Sequence, residues 1–172
     1  PVVESSAGAG RPLPSVESLR ALGRTLVSRS REIEQERRLP ADIADILAET
    51  GIFRTFVPRC YGGHQRHLLE GLELIEELSY WDSAAGWCAM IGMSTALQSA
   101  YLPEEHARRI YGENPTTVTG GTAEPRGSAR LVDGGLVASG RWAWGSGTWH
   151  CQWIGGGCRV EAEAGQESER PQ

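Results

Sequence analysis

The sequence predicts an α+β protein, in which an amino-terminal all-helical domain is followed by a partial antiparallel β-domain. Apolar residues recur at helical spacing from Ser15 to about Gly112. After Pro115 the composition changes to Thr, Val, Gly and Trp, which is typical of strands. The dipeptide Asp133-Gly134 lies between two short alternating runs and indicates a two-residue β-hairpin turn.

These changes in composition predict four segments along the 172 residues. Residues 1–14 are small, polar and interrupted by Pro and Gly, so we expect a flexible lead. Residues 15–113 form the predicted helical domain, and residues 114–160 form the predicted partial β-domain. Residues 161–172 contain no apolar anchor, which predicts a disordered tail.

The helical domain is expected to contain five helices. Ser15 is a suitable N-cap for the first and Asp82 for the fourth, while proline fits the first turn of the second and the fifth. The predicted helices run from Ser15 to about Arg38, from Pro40 to Gly51, from about His67 to Tyr80, from Ala84 to Leu102, and from Pro103 to Gly112.

The pattern of apolar and charged residues predicts how two of these helices are exposed to solvent. The third is amphipathic, and we expect its glutamates Glu73, Glu76 and Glu77 to point outward as a solvated face. The fourth is apolar or small almost all round, which predicts a helix that is buried in the centre of a bundle.

Charge and composition exclude several classes of function. The net charge of -5 and pI of about 5.4 disfavour nucleic-acid binding and an anionic membrane surface. No transmembrane run or signal peptide is visible, so we expect a cytoplasmic protein. The chain has no lysine, which excludes Schiff-base chemistry and a role for pyridoxal phosphate.

The cysteines are too sparse for a disulfide scaffold, and we expect reduced thiols at Cys60, Cys88, Cys151 and Cys158. Cys60, His64 and His67 have a spacing that could supply zinc ligands. Closed zinc sites usually contain paired knuckles, however, and we predict no metal site.

Four segments resemble, in order, the acyl-CoA dehydrogenase superfamily and in particular its branch of two-component flavin-dependent monooxygenases. The likeness extends from about Ser15 to Val160. It is carried by RRLPADIADILAETGIFRTFVPRCYGG (Arg37 to Gly63), IEELSYWDSAAGW (Ile75 to Trp87), GGTAEPRGSARLVDGG (Gly120 to Gly135) and SGRWAWGSGTWHCQW (Ser139 to Trp153).

The resemblance implies a fold and a cofactor. In this family the amino-terminal helices pack on a central β-domain, and the flavin lies between that domain and a carboxy-terminal four-helix bundle. We expect a partial fold that lacks this bundle. In the dehydrogenases the bundle carries the catalytic base, and in both branches it completes the flavin and subunit contacts.

The resemblance implies candidate cofactor-binding residues in two segments. Thr122 to Ser128 resembles the TEPxxGSD loop of the dehydrogenases, which makes Thr122 and Ala123 candidates for the pyrimidine edge of the flavin. The additional Ala123 shifts the register by one residue relative to that loop, and Ala129 replaces its aspartate. An ordinary Gly/Pro loop is the alternative.

The second segment, Trp142 to Gly147, resembles the aromatic-x-Ser-Gly element of the monooxygenases, so Trp144 and Ser146 are candidates for contact with the flavin. Alternate tryptophans would place large faces on one side of a strand. Trp142 and Trp144 could instead fill the core of the β-domain.

The resemblance also implies catalytic and substrate-binding residues. Ser146, near flavin N5, and His150, as a hydrogen-bond donor, are the catalytic candidates. Trp87 and Ser94 lie in the stretch that lines the substrate side in similar enzymes. His150 could be a structural hydrogen-bonding residue, and Trp87 and Ser94 could be ordinary helix packing.

The leading functional hypothesis is the oxygenase component of a two-component monooxygenase. Reduced FMN or FAD would be supplied by a separate reductase, and a small aromatic or polyketide-like substrate would be hydroxylated with dioxygen. We expect a homo-oligomer or a complementing subunit. The alternatives are an acyl-CoA dehydrogenase-type oxidoreductase and a non-catalytic, truncated or split-protein module.

Overall fold

The computed structural model describes residues 13–161, which divide into two compact units. The helical unit comprises the described residues up to Gly120 together with Ser146–Ile154. The sheet unit comprises Gly121–Gly145 and the described residues from Gly155 onward. Residues 1–12 of the predicted lead and 162–172 of the predicted tail lie outside the described residues. The predicted α+β fold class is confirmed.

Five α-helices occur in the described part of the helical unit, close to the predicted positions. They are α1 (Val16–Glu36), α2 (Ala41–Glu49), α3 (Leu68–Trp81), α4 (Ser83–Ala96) and α5 (Glu104–Ala107). Ser15 forms a capping box with Ser18, and the carboxylate of Asp82 accepts a hydrogen bond from the backbone of Ala85 at 2.8 Å. Within residues 13–161, none of the helices is long and apolar enough to cross a lipid bilayer.

The last two helices end earlier than predicted. The α-helical part of α4 stops at Ala96 and continues as a 3-10 turn, Leu97–Ala100. Likewise, α5 has a single α-helical turn before the chain widens into a π turn, Arg108–Gly112.

The predicted burial of α4 on all sides is wrong. Its buried face consists of small residues and Met93, whereas Trp87 is 54% exposed and Leu97 is also exposed. The small face permits close packing, since a Cβ added to Gly92 would lie 2.4 Å from the ring of Phe53. The helix is therefore packed tightly along one face, and its larger apolar side chains lie on the other.

Glu77 is also placed differently from the prediction. Glu73 and Glu76 are exposed, but the Glu77 side chain is largely buried beside α1. Its carboxylate accepts hydrogen bonds from the Arg20 guanidinium at 3.0 and 2.9 Å and from Trp81 Nε1 at 2.9 Å. The bond from Arg20 is the main reason why the pKa of Glu77 is lowered. Glu77 thus joins α1 to α3.

The core of the helical unit lies between α1, α2, α3 and α4. Its buried apolar side chains include Leu19, Leu26, Ile33, Ile43, Leu47, Phe53, Leu74, Leu78, Ala89 and Met93. Burial of this set is the main stabilising contribution, because apolar area is removed from water at every interhelical contact.

Arg54 is a buried charge in the connection between α2 and α3, with only 2% of its surface exposed. Its guanidinium donates to the backbone carbonyls of Gly62 at 3.2 Å, Asn114 at 3.3 Å and Tyr111 at 2.7 Å. It also donates to the carbonyl of Tyr61. One side chain therefore joins the turn at Tyr61 to the segment that follows α5.

The sheet has three strands: β1 (Thr119–Val132), β2 (Gly135–Ser139) and β3 (Trp153–Val160), with β1 in the centre. β1 and β2 are antiparallel, in a register that pairs Ser128 with Ser139 and Val132 with Gly135. The predicted hairpin is confirmed. Gly134 in its turn has φ +80°, a left-handed conformation that favours glycine.

We predict that Arg54→Met destabilises the helical unit by about 3 kcal/mol or more, because four backbone carbonyls, including the buried one of Tyr111, lose their donor. Urea unfolding followed by circular dichroism would measure the change. Arg108→Met is the matched control, since Arg108 forms an exposed ion pair with Glu104, and it should leave the midpoint nearly unchanged. Equal midpoints for the two variants would contradict the prediction.

Candidate functional site

The candidate residues are divided between the two units. Four belong to the helical unit: Trp87, Ser94, Ser146 and His150. Three belong to the sheet unit: Thr122, Ala123 and Trp144. The sequence prediction had assigned Ser146 and His150 to the β-domain, but by their contacts these two residues belong with the helices.

Ser146–Ile154, here called the crossing segment, is held on the helical unit by a pair of hydrogen bonds. The backbone of Gln152 donates to the Val118 carbonyl at 3.0 Å, and the Val118 N–H donates to Gln152 Oε1 at 2.7 Å. Cys151 packs against the helical core. This pairing holds the crossing segment on the helical unit, so it does not continue the sheet.

Aromatic contacts also hold the middle and the carboxy end of the crossing segment. The Arg38 guanidinium lies 5.0 Å from the ring centroid of Trp149, and the Arg109 guanidinium lies 5.8 Å from that of Trp153. These are cation–π distances. Between them, the ring of His150 lies 6.1 Å from the ring of Phe53. The middle and the carboxy end of the crossing segment are therefore positioned by residues of the helices and their connections.

Ser146 and His150 lie at one tight turn. Gly147, with φ +71°, precedes the 3-10 turn Thr148–His150, and a Cβ at Gly147 would lie 3.2 Å from the imidazole of His150. Burial lowers the pKa of His150 below its ordinary value of 6.5. The imidazole is therefore neutral at pH 7, with one ring nitrogen as a donor and the other as an acceptor.

Two half-buried thiols, those of Cys88 and Cys151, lie beside this turn. Burial raises the pKa of Cys88 and of Cys151 to about 11, so both are protonated near pH 7. Cys151 Sγ lies 3.2 Å from the Gly147 carbonyl, and all four cysteines are free. We assign these two thiols to packing, since protonated thiols are poor nucleophiles.

Trp87 and Ser94 lie on α4, seven residues and so about two turns apart. Trp87 is exposed, as is Ser94, whose hydroxyl donates to the carbonyl of Met90 at 2.7 Å in its own helix. Their predicted role at the substrate side stays a prediction.

In the sheet unit, Thr122 carries a buried hydroxyl whose oxygen has no hydrogen-bond partner among residues 13–161. A buried, unpaired hydroxyl is costly and indicates a place for a polar ligand. The preceding Gly121 has φ +138°, and a Cβ there would lie 2.0 Å from the Gly155 carbonyl. Thr122 therefore follows a close backbone contact between β1 and β3 that only glycine allows.

The donor chemistry at this position fits the pyrimidine edge of a flavin. That edge presents carbonyl oxygens and ring nitrogens, which a hydroxyl and backbone amides can bind. Thr122 supplies the hydroxyl, and Ala123 next to it is exposed. These residues would hold the edge of the ring, without a charged side chain.

The two tryptophans do not share a strand face as predicted, because residues 140–147 form no strand. Trp142 is partly buried, and its Nε1 donates to the Gly157 carbonyl at 2.7 Å. Trp144 is 86% exposed and adopts φ +63°. The alternation argument was wrong since it assumed an extended backbone.

Within residues 13–161, no group of three or more His, Cys, Asp or Glu side chains could hold a metal ion. Instead, His67 caps α3, where its Nδ1 accepts a hydrogen bond from the Leu69 backbone at 3.3 Å.

Sequence reasoning missed Gln152, whose side chain replaces a strand partner for Val118. No local signal could have identified it, because the two residues are far apart in the chain. It also missed the importance of the glycines around Trp142. The run Gly155-Gly156-Gly157 was a visible signal for close backbone approach in a strand.

The helical unit, followed by a small three-stranded sheet in which β1 and β2 are antiparallel, defines an α+β architecture. The family described as acyl-CoA dehydrogenase, N-terminal domain, matches residues 16–109, which are more than half of the chain. The chain belongs to this family, and the predicted resemblance is confirmed.

Similar proteins include indole-3-acetate monooxygenase of Pseudomonas putida, which is 36% identical over 126 residues, or 73% of this chain and 32% of that protein. The FADH2-dependent resorcinol hydroxylase, oxygenase component, of Rhizobium sp. is 34% identical over 126 residues, or 73% of this chain and 31% of that protein.

Among solved structures, the 3-HSA hydroxylase of Rhodococcus sp. RHA1 superposes with a TM-score of 0.79 at 30% identity. The match covers 84% of this chain and 37% of that structure. The chain therefore spans about a third of the length of the relatives that it matches.

We predict that His150 makes stability depend on pH. An unfolded histidine binds its proton near pH 6.5, whereas folded His150 binds it only at a lower pH. The free energy of unfolding should therefore fall as the pH drops below about 6.5, and this component should level off below the folded pKa. Urea unfolding of wild type and of His150→Gln at pH 7.5 and 5.5 would measure the difference between them. If the two pH profiles run parallel, the prediction fails.

Proposed function

We propose that this chain is the amino-terminal part of the oxygenase component of a two-component flavin monooxygenase that hydroxylates a small aromatic substrate. The observation that carries the proposal is its similarity to indole-3-acetate monooxygenase and to the resorcinol hydroxylase oxygenase component, at 36% and 34% identity. The overall reaction would convert the substrate, dioxygen and reduced flavin into hydroxylated product, water and oxidised flavin.

The buried hydroxyl of Thr122 supports flavin as the cofactor. In the proposed assignment Thr122 and Ala123 bind the pyrimidine edge, Trp144 offers an aromatic face, and Ser146 approaches N5. Reduced flavin, when bound, supplies the two electrons that activate dioxygen. FAD is favoured over FMN by the name of the resorcinol hydroxylase relative.

His150 is proposed as the polar group that orients the substrate. Its imidazole is neutral near pH 7 and can donate one hydrogen bond to a phenol or an indole substituent while it accepts another. Trp87, which is exposed on α4, would offer apolar surface to the aromatic ring, and Ser94 would lie on the same side.

The proposed partners are a flavin reductase and a second protein chain. The name of the resorcinol hydroxylase relative, an oxygenase component, supports a separate reductase. The exposed apolar side chains of Leu97 and Tyr101, which follow α4, support contact with a second copy or a complementing subunit. We propose a cytoplasmic location, where reduced flavin is produced.

Anaerobic fluorescence titration with reduced FAD and reduced FMN tests the proposal. The 172-residue chain should bind at least one reduced flavin more tightly than the oxidised form. With a reductase and ¹⁸O₂, a labelled oxygen atom should appear in an indole or phenol product. A lack of binding to either reduced flavin would refute the flavin proposal. Bleaching of bound oxidised flavin by an acyl-CoA would indicate a dehydrogenase instead.

For Thr122 we predict opposite effects on stability and on flavin binding. Thr122→Val removes a buried hydroxyl without a partner in residues 13–161, so urea unfolding should show equal or higher stability. The Kd for reduced flavin should rise about tenfold, as expected for one lost hydrogen bond in a buried site. Thr122→Ser, which retains the hydroxyl, is the control and should bind nearly as wild type. Unchanged affinity in Thr122→Val would exclude the residue from the cofactor site.

A further inference from the structure

The indole of Trp142 lies against glycines of β1 and β3 and against Gly140, which directly follows β2. A Cβ added to Gly127 in β1, to Gly140 just after β2, or to Gly156 in β3 would lie within 2.3, 3.0 and 2.8 Å of its ring, respectively. Gly127 and Gly156 cannot carry a side chain while the indole stays in place, and a Cβ at Gly140 would also lie 2.6 Å from the Gly127 backbone. The ring is therefore enclosed by backbone on several sides.

The indole is also fixed in rotation by a hydrogen bond. Its Nε1 donates to the Gly157 carbonyl at 2.7 Å, which is a short and well-formed bond. The bond determines which way the indole faces and so sets the path of the residues attached to it.

Both proposed cofactor elements of the sheet unit are connected to this indole. Gly157, which accepts its hydrogen bond, lies against β1, since a Cβ there would be 2.4 Å from the Ala123 carbonyl. Trp144 follows two residues after Trp142 and adopts φ +63°, an unfavourable conformation for a bulky residue. Such a conformation persists only where the surrounding structure holds it.

We propose that Trp142 is a positioning residue that fixes Trp144 relative to Ala123 for flavin binding; this inference rests on the proposed function. The indole N–H anchors the connection between β2 and the crossing segment onto β3, opposite Ala123. Trp142 acts through Trp144 and does not itself touch the cofactor. The ring and the N–H of Trp142 have separable roles. The glycines around the ring determine how it fits, and the hydrogen bond to the Gly157 carbonyl determines its orientation.

Two variants separate these roles. Trp142→Phe retains an aromatic ring but loses the N–H. Gly156→Ala retains the tryptophan but displaces its ring, because the new methyl group would lie 2.8 Å from it. Gly135→Ala is the matched control, since nothing lies within 4 Å of a Cβ at that position. Urea unfolding and the signals of Trp87 and Trp149 establish that each variant is folded.

The first measurement is independent of flavin. In a chain labelled with ¹⁵N-tryptophan, the backbone amide signal of Trp144 is assigned by its loss in Trp144→Phe. This signal should shift or broaden in Trp142→Phe and in Gly156→Ala, but it should stay in place in Gly135→Ala. In wild type the Trp142 indole proton should exchange slowly with solvent. A Trp144 signal unchanged in both variants would overturn the positioning role, even if Trp142→Phe alone is unstable.

The second measurement is the Kd for reduced FAD. It should rise about tenfold in Trp142→Phe, the loss expected when one buried hydrogen bond no longer orders the site. It should also rise in Gly156→Ala, where the indole is displaced. Changed Trp144 signals with unchanged affinity would overturn the link to flavin binding. If wild type binds no reduced flavin, the proposed function fails and so does the flavin role of Trp142. The Trp144 signal then still decides separately whether Trp142 holds this segment.

Discussion

The arginine at position 54 organises the irregular parts of the helical unit. Its guanidinium binds carbonyls of residues 61, 62, 111 and 114, which belong to two connections far apart in the sequence. A planar guanidinium with five donors can bind several carbonyls at once, and here it binds four. The π turn after α5 and the approach to β1 therefore depend on one buried side chain.

Features that depend on neighbouring residues could be predicted from the sequence. The Ser15 and Asp82 N-caps and the Asp133-Gly134 hairpin are determined by interactions within a few residues, and all three are present. The face that Glu77 presents to Arg20 could not be predicted, because it depends on how α3 packs against α1. The exposure of Trp87 depends on the same kind of tertiary arrangement.

The candidate site was predictable in composition but not in placement. Resemblance identified Thr122, Trp144 and Ser146, yet it gave no indication that the crossing segment leaves the sheet. That departure depends on Gln152 and Val118, whose pairing is long-range and leaves no periodic pattern. The conformation of Trp144 was missed for a similar reason, since a left-handed tryptophan is rare and only its surroundings reveal it.

The crossing segment has a consequence for how the two units are connected. The chain passes from helical to sheet unit after Gly120, returns before Ser146, and leaves again after Ile154. The units thus share three covalent connections, and a protease that cuts any one of them leaves two intact. Neither unit is a continuous stretch of sequence, so recombination cannot exchange one as a single block.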